Sequence, residues 1–243
     1  MEKIVYLLWG PGTPESGDEL RQRLLEETAP RLKRAGTRRS SVNVHDAAAA
    51  EAPSPVPTPD GEDPHVAEVS AWVDSYDQRD GVDEAVAALG LAWAAYLVVE
   101  SLYEDYGTTP HAKARDWRDG DRSPGVLTVS LIQRPEGLDY QEWIERWHGT
   151  QSPLSGRLQP RCRYVRNEVV RPLTSGAPAI DGIVEEAWPS ATHVADPMLF
   201  FSAGGDPKVL QANIEAMLES VNACLDLERL RNTTMSEYLL DTR

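Results

Sequence analysis

The sequence predicts an α+β fold made of two like halves, and three observations carry that prediction. The chain resembles itself at a nearly constant spacing. Each half runs through strand, helix, strand, strand, helix and strand. One such half leaves an apolar sheet face that a second half can cover. With 243 residues, 41% of them hydrophobic, the chain is long enough to bury a core of that size.

KIVYLLWGPG (3–12) resembles VLTVSLIQRP (126–135), and each is followed by a charged helical stretch that ends shortly after a proline, at Pro30 and Pro153. A constant offset carries Ile4 to Leu127, Leu8 to Leu131 and Pro30 to Pro153. The same offset lays RSSVNVHD (39–46) on CRYVRNEV (162–169), and both alternate as strands do. The third strands are AEVSAWVDS (67–75) and DGIVEEAWPS (181–190). A helix comes next. It is short near DEAVAALG (83–90) and longer from Pro207 to Leu225, where Val209, Ile214, Met217, Leu218 and Val221 form one stripe. AAYLVVESLY (94–103) and MSEYLL (235–240) close the halves. Each half is thus a ferredoxin-like βαββαβ unit, the first over 1–114 and the second over 125–243, with the polar stretch 115–124 as linker. Segment 47–65, rich in Ala and Pro, reads as a flexible surface loop within the first unit. The two tandem units are expected to pack sheet to sheet and enclose a cavity. A homodimer through the helix faces is compatible with this plan but not required by it.

Composition excludes several classes of partner. Thirty-nine acidic against 24 basic residues give a net charge of −15, which repels phosphate backbones and anionic lipid, so neither nucleic acid nor membrane is expected. The apolar run at the amino terminus is of strand length, and no stretch of about 20 apolar residues follows, which points to a cytoplasmic protein. Cys162 and Cys224 lack the spacing of a zinc site or a disulfide framework and read as packing residues. The five histidines show no ligand spacing, so no metal is expected. Phosphate loops, a nucleophile elbow and dinucleotide fingerprints are missing. His148 and His193 are the second-half histidines that could face a haem, but neither has basic neighbours to neutralise propionates, and no cofactor is expected. In WIERWHGTQSP (143–153), Pro153 restricts Ser152 and should end the helix. Trp143 or Trp147 would then be buried and His148 left near the exposed final turn.

The second half carries Trp147, Gln151, Ser152, Pro153 and Leu154 on its helix. Tyr164, Val165, Arg166, Asn167 and Glu168 follow on its second strand, and Asp181, Gly182, Ile183, Val184 and Glu185 on its third. In these residues it resembles the EthD-type members of the dimeric α+β-barrel superfamily, and the first half joins that resemblance through the repeat. The resemblance implies an internal dimeric α+β barrel, in a superfamily that includes enzymes working without a cofactor. The family's helix histidine falls on Gln151 here, and the histidine after its strand asparagine falls on Glu168.

Strand alternation assigns the faces. The set Val165, Asn167 and Val169 is expected to meet the helices, and the set Tyr164, Arg166 and Glu168 to line the cavity between the sheets. The repeat offset makes His45 the counterpart of Glu168, and the third strands add Glu185 and Trp72. The expected catalytic residues are His45, Glu168 and Glu185, with Trp72, Tyr164, Arg166 and Gln151 binding the substrate. Burial raises a carboxyl pKa and histidine titrates near neutrality, so these groups could exchange a proton with a ligand. The expected activity is that of a cofactor-independent isomerase, cyclase or lyase acting on a small oxygenated, partly apolar molecule. The alternative is a non-catalytic EthD-like ligand-binding or accessory protein of a catabolic or biosynthetic pathway, which the two replaced histidines favour.

Overall fold

In β1 (Glu2–Trp9), Ile4, Tyr6 and Leu8 turn to one side and Lys3, Val5 and Leu7 to the other, and all six are buried. A strand buried on both faces needs two cores, and the computed structural model, which describes residues 1–56, 58, 59 and 61–242, supplies them. One core lies inside a barrel and the other beneath a layer of helices outside it. The remaining strands are β2 (Arg39–Val44), β3 (His65–Val73), β4 (Ala92–Glu104), β5 (Val126–Ile132), β6 (Arg163–Pro172), β7 (Gly182–Trp188) and β8 (Arg231–Leu240). They close in the order β1-β3-β2-β8-β5-β7-β6-β4, with every neighbouring pair antiparallel.

Within the first half the order is β4-β1-β3-β2, and within the second it is β8-β5-β7-β6. The seams are β2 with β8 and β4 with β6. The expected α+β barrel is present, and its two four-stranded sheets are joined edge to edge along these seams. Each half would otherwise keep two open edges with unpaired backbone groups, and joining edge to edge satisfies all four. The space between the sheets thereby becomes a barrel interior, which in an eight-stranded barrel is filled by side chains.

Two turns of π-helix correct the expected helix ends. In the first half α1 (Pro14–Arg23) passes through a π-helical stretch, Leu24–Thr28, into α2 (Ala29–Arg34). In the second, α4 (Tyr140–Ile144) passes through Glu145–Gln151 into α5 (Ser152–Leu158). A proline within a helix clashes with the carbonyl four residues back. In both halves the residue just before it bonds one step further: the Ala29 amide donates to the Leu24 carbonyl and the Ser152 amide to the Trp147 carbonyl. The widened turn accepts Pro30 and Pro153 without stopping the helix. The helix layer is completed by α3 (Asp80–Ala87) in the first half and by α6 (Ala191–Ala195), α7 (Pro197–Phe200) and α8 (Pro207–Cys224) in the second. Among the described residues no helix is long and apolar enough to cross a membrane.

The Pro-rich stretch also packs more closely than its composition indicates. Pro57 and Asp60 lie outside the described residues. Around them, Ala49 and Ala52 are buried, Ser54 Oγ donates to the Asn232 carbonyl at 2.7 Å, and Glu62 pairs with Arg231 at 2.8 Å. The stretch lies against β8 and carries Pro55 and Val56 to the rim of a cavity described below.

Inside the barrel, one end is ionic. Lys3 Nζ lies 2.8 Å from Glu100 and 3.1 Å from Glu185, while Arg163 reaches Glu185 at 3.3 Å and Glu237 at 2.8 Å. Asn167 donates to Glu185 at 2.8 Å, and the Tyr106 hydroxyl donates to Glu237 at 2.9 Å. Buried charges need this many partners, because losing one leaves the other desolvated and uncompensated at about 3–5 kcal/mol. Among the described residues Glu68 has no cation within pairing distance. Burial and then the charge of Glu185 push its carboxyl well above the usual range, so the two acids hold one proton on Glu68. Lys3 and Arg163 hold Glu185 well below that range against the cost of its burial.

The sign of each effect on stability differs. Glu68 binds its proton more tightly in the fold, so its contribution is fully present below the ordinary value of 4.5 and is lost as pH rises toward its raised folded value. Glu185 contributes above the ordinary range and is lost as pH falls below it. Glu68→Gln should therefore flatten the alkaline decline in urea-unfolding free energy and stabilise the protein at about pH 8.5 by on the order of 1 kcal/mol or more, since each unit of pKa shift is worth about 1.4 kcal/mol. An unchanged alkaline slope would show that Glu68 is ionised in the fold.

Candidate functional site

Outside the barrel, the sheet face made by β5, β7 and β6 and the helices above it do not meet completely. Between them lies a cavity of about 210 Å³. Ile132, Val184 and Tyr164 form its floor, and Trp147, Met217 and Val221 its roof. Trp188 and Phe200, with ring centroids 4.9 Å apart, close one side. The walls are apolar with a few polar groups aimed inward, among them Thr128, Gln151, Ser155 and Glu186. That composition suits a small organic ligand.

Local sequence explains the shape. Trp143 and Trp147, one turn apart, are both buried, with ring centroids 4.9 Å apart. Trp143 Nε1 donates to the Cys224 carbonyl at 2.9 Å and so ties the π-helical segment to the end of α8. Gly182 is needed beneath Trp147, since a Cβ there would lie 2.9 Å from both that indole and Ile132. Trp147 Nε1 in turn donates to the Tyr164 hydroxyl at 3.2 Å. Asp139 and Asp206 cap the first turns of α4 and α8.

Two polar groups in the cavity stand out. Gln151 Nε2 rests 3.2 Å from the Met217 sulfur, while its buried amide oxygen has no hydrogen-bond partner among the described residues. Glu186 is partly buried, and desolvation raises its pKa against the pull of Arg161, whose Nη1 lies 3.5 Å away. Arg161 is itself fully buried. It pairs with Glu104 at 3.0 Å, donates to Ser155 Oγ at 2.8 Å and to the Ser152 carbonyl at 3.0 Å, and stacks 4.1 Å from the Tyr164 ring centroid. The cavity thus offers a carboxyl of raised pKa beside a fixed cation, with an unsatisfied amide acceptor in the same enclosure.

The residues expected to form one site are spread over three places. Gln151 and Tyr164 line the cavity under the helices. Glu185 lies in the ionic network inside the barrel, and Trp72 stands at the same barrel end with Lys3 Nζ 4.6 Å and Arg39 Cζ 4.0 Å from its ring centroid. Arg166 and Glu168 share the outer face with Tyr164. Arg166 donates to Ser152 Oγ at 3.1 Å and covers Tyr103, and Glu168 accepts a hydrogen bond from the Tyr140 hydroxyl. His45, just beyond β2, donates through Nδ1 to the Thr234 carbonyl at 2.7 Å and meets none of them.

The assignment of faces on β6 is therefore reversed. Val165 pairs across the barrel wall with Glu185 and Asn167 with Ile183, so Val165, Asn167 and Val169 point inward, and Tyr164, Arg166 and Glu168 meet the helix layer. The inner face accepts valine beside buried ions, so the more apolar set need not face the helices. Glu186 and Trp188 on β7 were missed for the same reason, and Ser155 because the helix was expected to end before it. The pair Glu185-Glu186 in DGIVEEAW carried the signal, because adjacent strand residues must face opposite cores.

His148 also differs from expectation. It sits inside the continuous helix, half-buried, 4.6 Å between ring centroids from Trp147, and burial with the charge of Arg166 pushes its pKa down to about 4. It is neutral at ordinary pH. Among the described residues no group of three or more His, Cys, Asp or Glu is placed to hold a metal ion.

Eight antiparallel strands close into one barrel with helices packed outside it, and an α+β fold of this kind recurs among solved structures. The chain is similar throughout to the crystal structure of an anthrone oxidase-like protein, with 11% identity and a TM-score of 0.58, covering 100% of this chain and 94% of that one. A protein of Fusobacterium nucleatum provisionally named a monooxygenase is similar at 7% identity and a TM-score of 0.46, over 98% of this chain and 92% of its own. At such identities the likeness is one of fold. No protein-family model and no curated protein matches the sequence.

An unsatisfied buried acceptor costs about 1–3 kcal/mol, so a glutamine kept only for packing is a poor choice at position 151. Gln151→Met should leave the urea-unfolding free energy unchanged or raise it by up to about 1 kcal/mol. A clear loss of stability would show that the amide is a structural hydrogen-bond partner.

Proposed function

We propose that the protein is a cofactor-independent enzyme of the isomerase, cyclase or lyase type, and that its chemistry takes place in the cavity beneath the second-half helices. The observation that carries this reading is Glu186, a carboxyl of raised pKa lining a largely apolar cavity that Gln151, with its orphaned amide oxygen, also lines. Proton transfer is most efficient when the acid or base titrates near the working pH, and burial moves Glu186 in that direction. Arg161 is fixed by four other groups and can stabilise the carboxylate each time the proton leaves. Tyr164, Trp147, Trp188 and Phe200 suit a flat aromatic ligand, and Gln151 would accept a hydrogen bond from a hydroxyl or enol on it. The two halves are read as tandem ferredoxin-like units, the second EthD-like, and two free buried cysteines are in keeping with a reducing compartment.

A second reading has its own observation. The Glu186 to Arg161 contact, with Arg161 almost wholly buried, is also what a structural ion pair requires, and the cavity would then hold a ligand without changing it. The name anthrone oxidase-like belongs to the structural neighbour. For this chain it only indicates which compounds to try first, aromatic ketones with an acidic α-hydrogen.

The readings separate by solvent exchange. Incubated with 1-indanone or 1-tetralone in deuterated buffer, the enzyme should speed exchange of the α-hydrogen. Glu186→Gln should lower that rate by roughly 10²-fold while changing ligand affinity little. Binding without any acceleration in the unmodified protein would establish the non-catalytic reading, and no binding of any aromatic ketone would remove both.

A further inference from the structure

The polypeptide between β4 and β5, of which 115–124 is expected to be a linker, forms a second pocket at the ionic end of the barrel. It returns over the barrel mouth and donates the Gly120 and Ser123 amides to the Leu239 and Glu237 carbonyls, both at 2.8 Å. Tyr106, Ala112 and Trp117 from this segment join the core inside the barrel. The fold of the segment is fixed by close approach. Gly107 has φ +86°, and a Cβ there would lie 2.7 Å from the Ala114 backbone, so both conformation and space require glycine. Between this segment, Cys162 and Pro189 is a cavity of about 250 Å³, separate from the one under the helices.

Its chemistry is specific. Tyr106 and Trp117 meet edge to face with centroids 4.9 Å apart, and Pro124 and Pro189 supply flat apolar surface. The Tyr106 hydroxyl is already committed to Glu237, so that ring is fixed and offers only its face and edge. Trp117 lines this pocket, and its Nε1 is buried with no hydrogen-bond partner among the described residues. At its exposed edge Lys113 and Asp116 offset one another in charge beside His111. The Cys162 thiol is pushed up to about 11 by burial and is no nucleophile at neutral pH.

We infer that this mouth cavity is a second, non-catalytic binding site for an uncharged planar aromatic molecule bearing a carbonyl or ether oxygen, which accepts a hydrogen bond from Trp117 Nε1 while its rings pack against Tyr106 and the two prolines. Because the segment also plugs the barrel over Glu237 and Arg163, an occupant would tighten the plug. The inference does not depend on the activity proposed for the other cavity.

Coumarin, a neutral fused ring with a lactone carbonyl, is the probe. In ¹⁵N-correlated NMR spectra the indole signal of Trp117, assigned by its loss in Trp117→Phe, should shift saturably as coumarin is added. Trp117→Phe, which keeps an aromatic ring and removes the donor, should weaken coumarin binding about five- to tenfold, as expected for one lost hydrogen bond. Ala112→Trp, which fills the cavity, should abolish it, and unmoved Trp147 and Trp188 indole signals would show that both variants are folded. The inference is overturned if the Trp117 signal stays still to about 5 mM coumarin, where even a millimolar site would be mostly filled, or if either variant binds as well as the parent.

Discussion

Closure of the barrel is the constraint from which the other features follow. Once β2 pairs with β8 and β4 with β6, no sheet edge is left open and the volume between the halves becomes a lumen that side chains fill. Polar residues that the sequence sends inward, Lys3, Glu68, Arg163, Asn167, Glu185 and Glu237, must then satisfy one another away from water. At one end Lys3 and Arg163 pair with Glu100, Glu185 and Glu237, Glu68 accepts a hydrogen bond from Ser70, and the chain between the halves folds over that end as a plug. The interior is thereby committed to structure, and open space is left at its mouth and on the outer face, where a curved sheet and straight helices cannot match everywhere.

Much of this was legible in the sequence. The order of the strands and main helices followed from alternation and from the 3.6-residue stripe, and the expectation that Trp143 or Trp147 would be buried is exceeded, since both are. Gly182 was visible as a motif residue, though not its reason, the indole of Trp147 above it. What was not legible turns on single residues. Pro30 and Pro153 looked like helix ends because a π-helical turn, which lets a helix continue past proline, leaves no mark in residue periodicity. The faces of β6 were reversed because both of its sides are buried, so hydrophobicity cannot tell lumen from helix layer. Glu186 was passed over in favour of Glu185 by that reasoning, although the two are adjacent and only one can reach the cavity. The Pro-rich stretch illustrates a third limit: its alanines are small enough to be buried against β8 without any periodic signal.

The consequence for function is a separation of roles. Of the charged groups with shifted pKa values, Glu68 and Glu185 belong to the sealed lumen, where their titration governs stability, while Glu186 opens toward a space large enough for a small molecule. The cation that could support Glu186, Arg161, is held by contacts that owe nothing to a ligand and is therefore preorganised.

The most direct test of this account is where a ligand sits, and two methionines report on it. Met217 lines the cavity beneath the helices, whereas Met235 lies in the barrel interior. In a sample with labelled methionine methyl groups, 1-indanone should shift the Met217 methyl signal in a saturable manner and give nuclear Overhauser contacts to it, leaving the Met235 signal in place. Contacts to Met235 with Met217 undisturbed would put the ligand in the lumen and contradict the account.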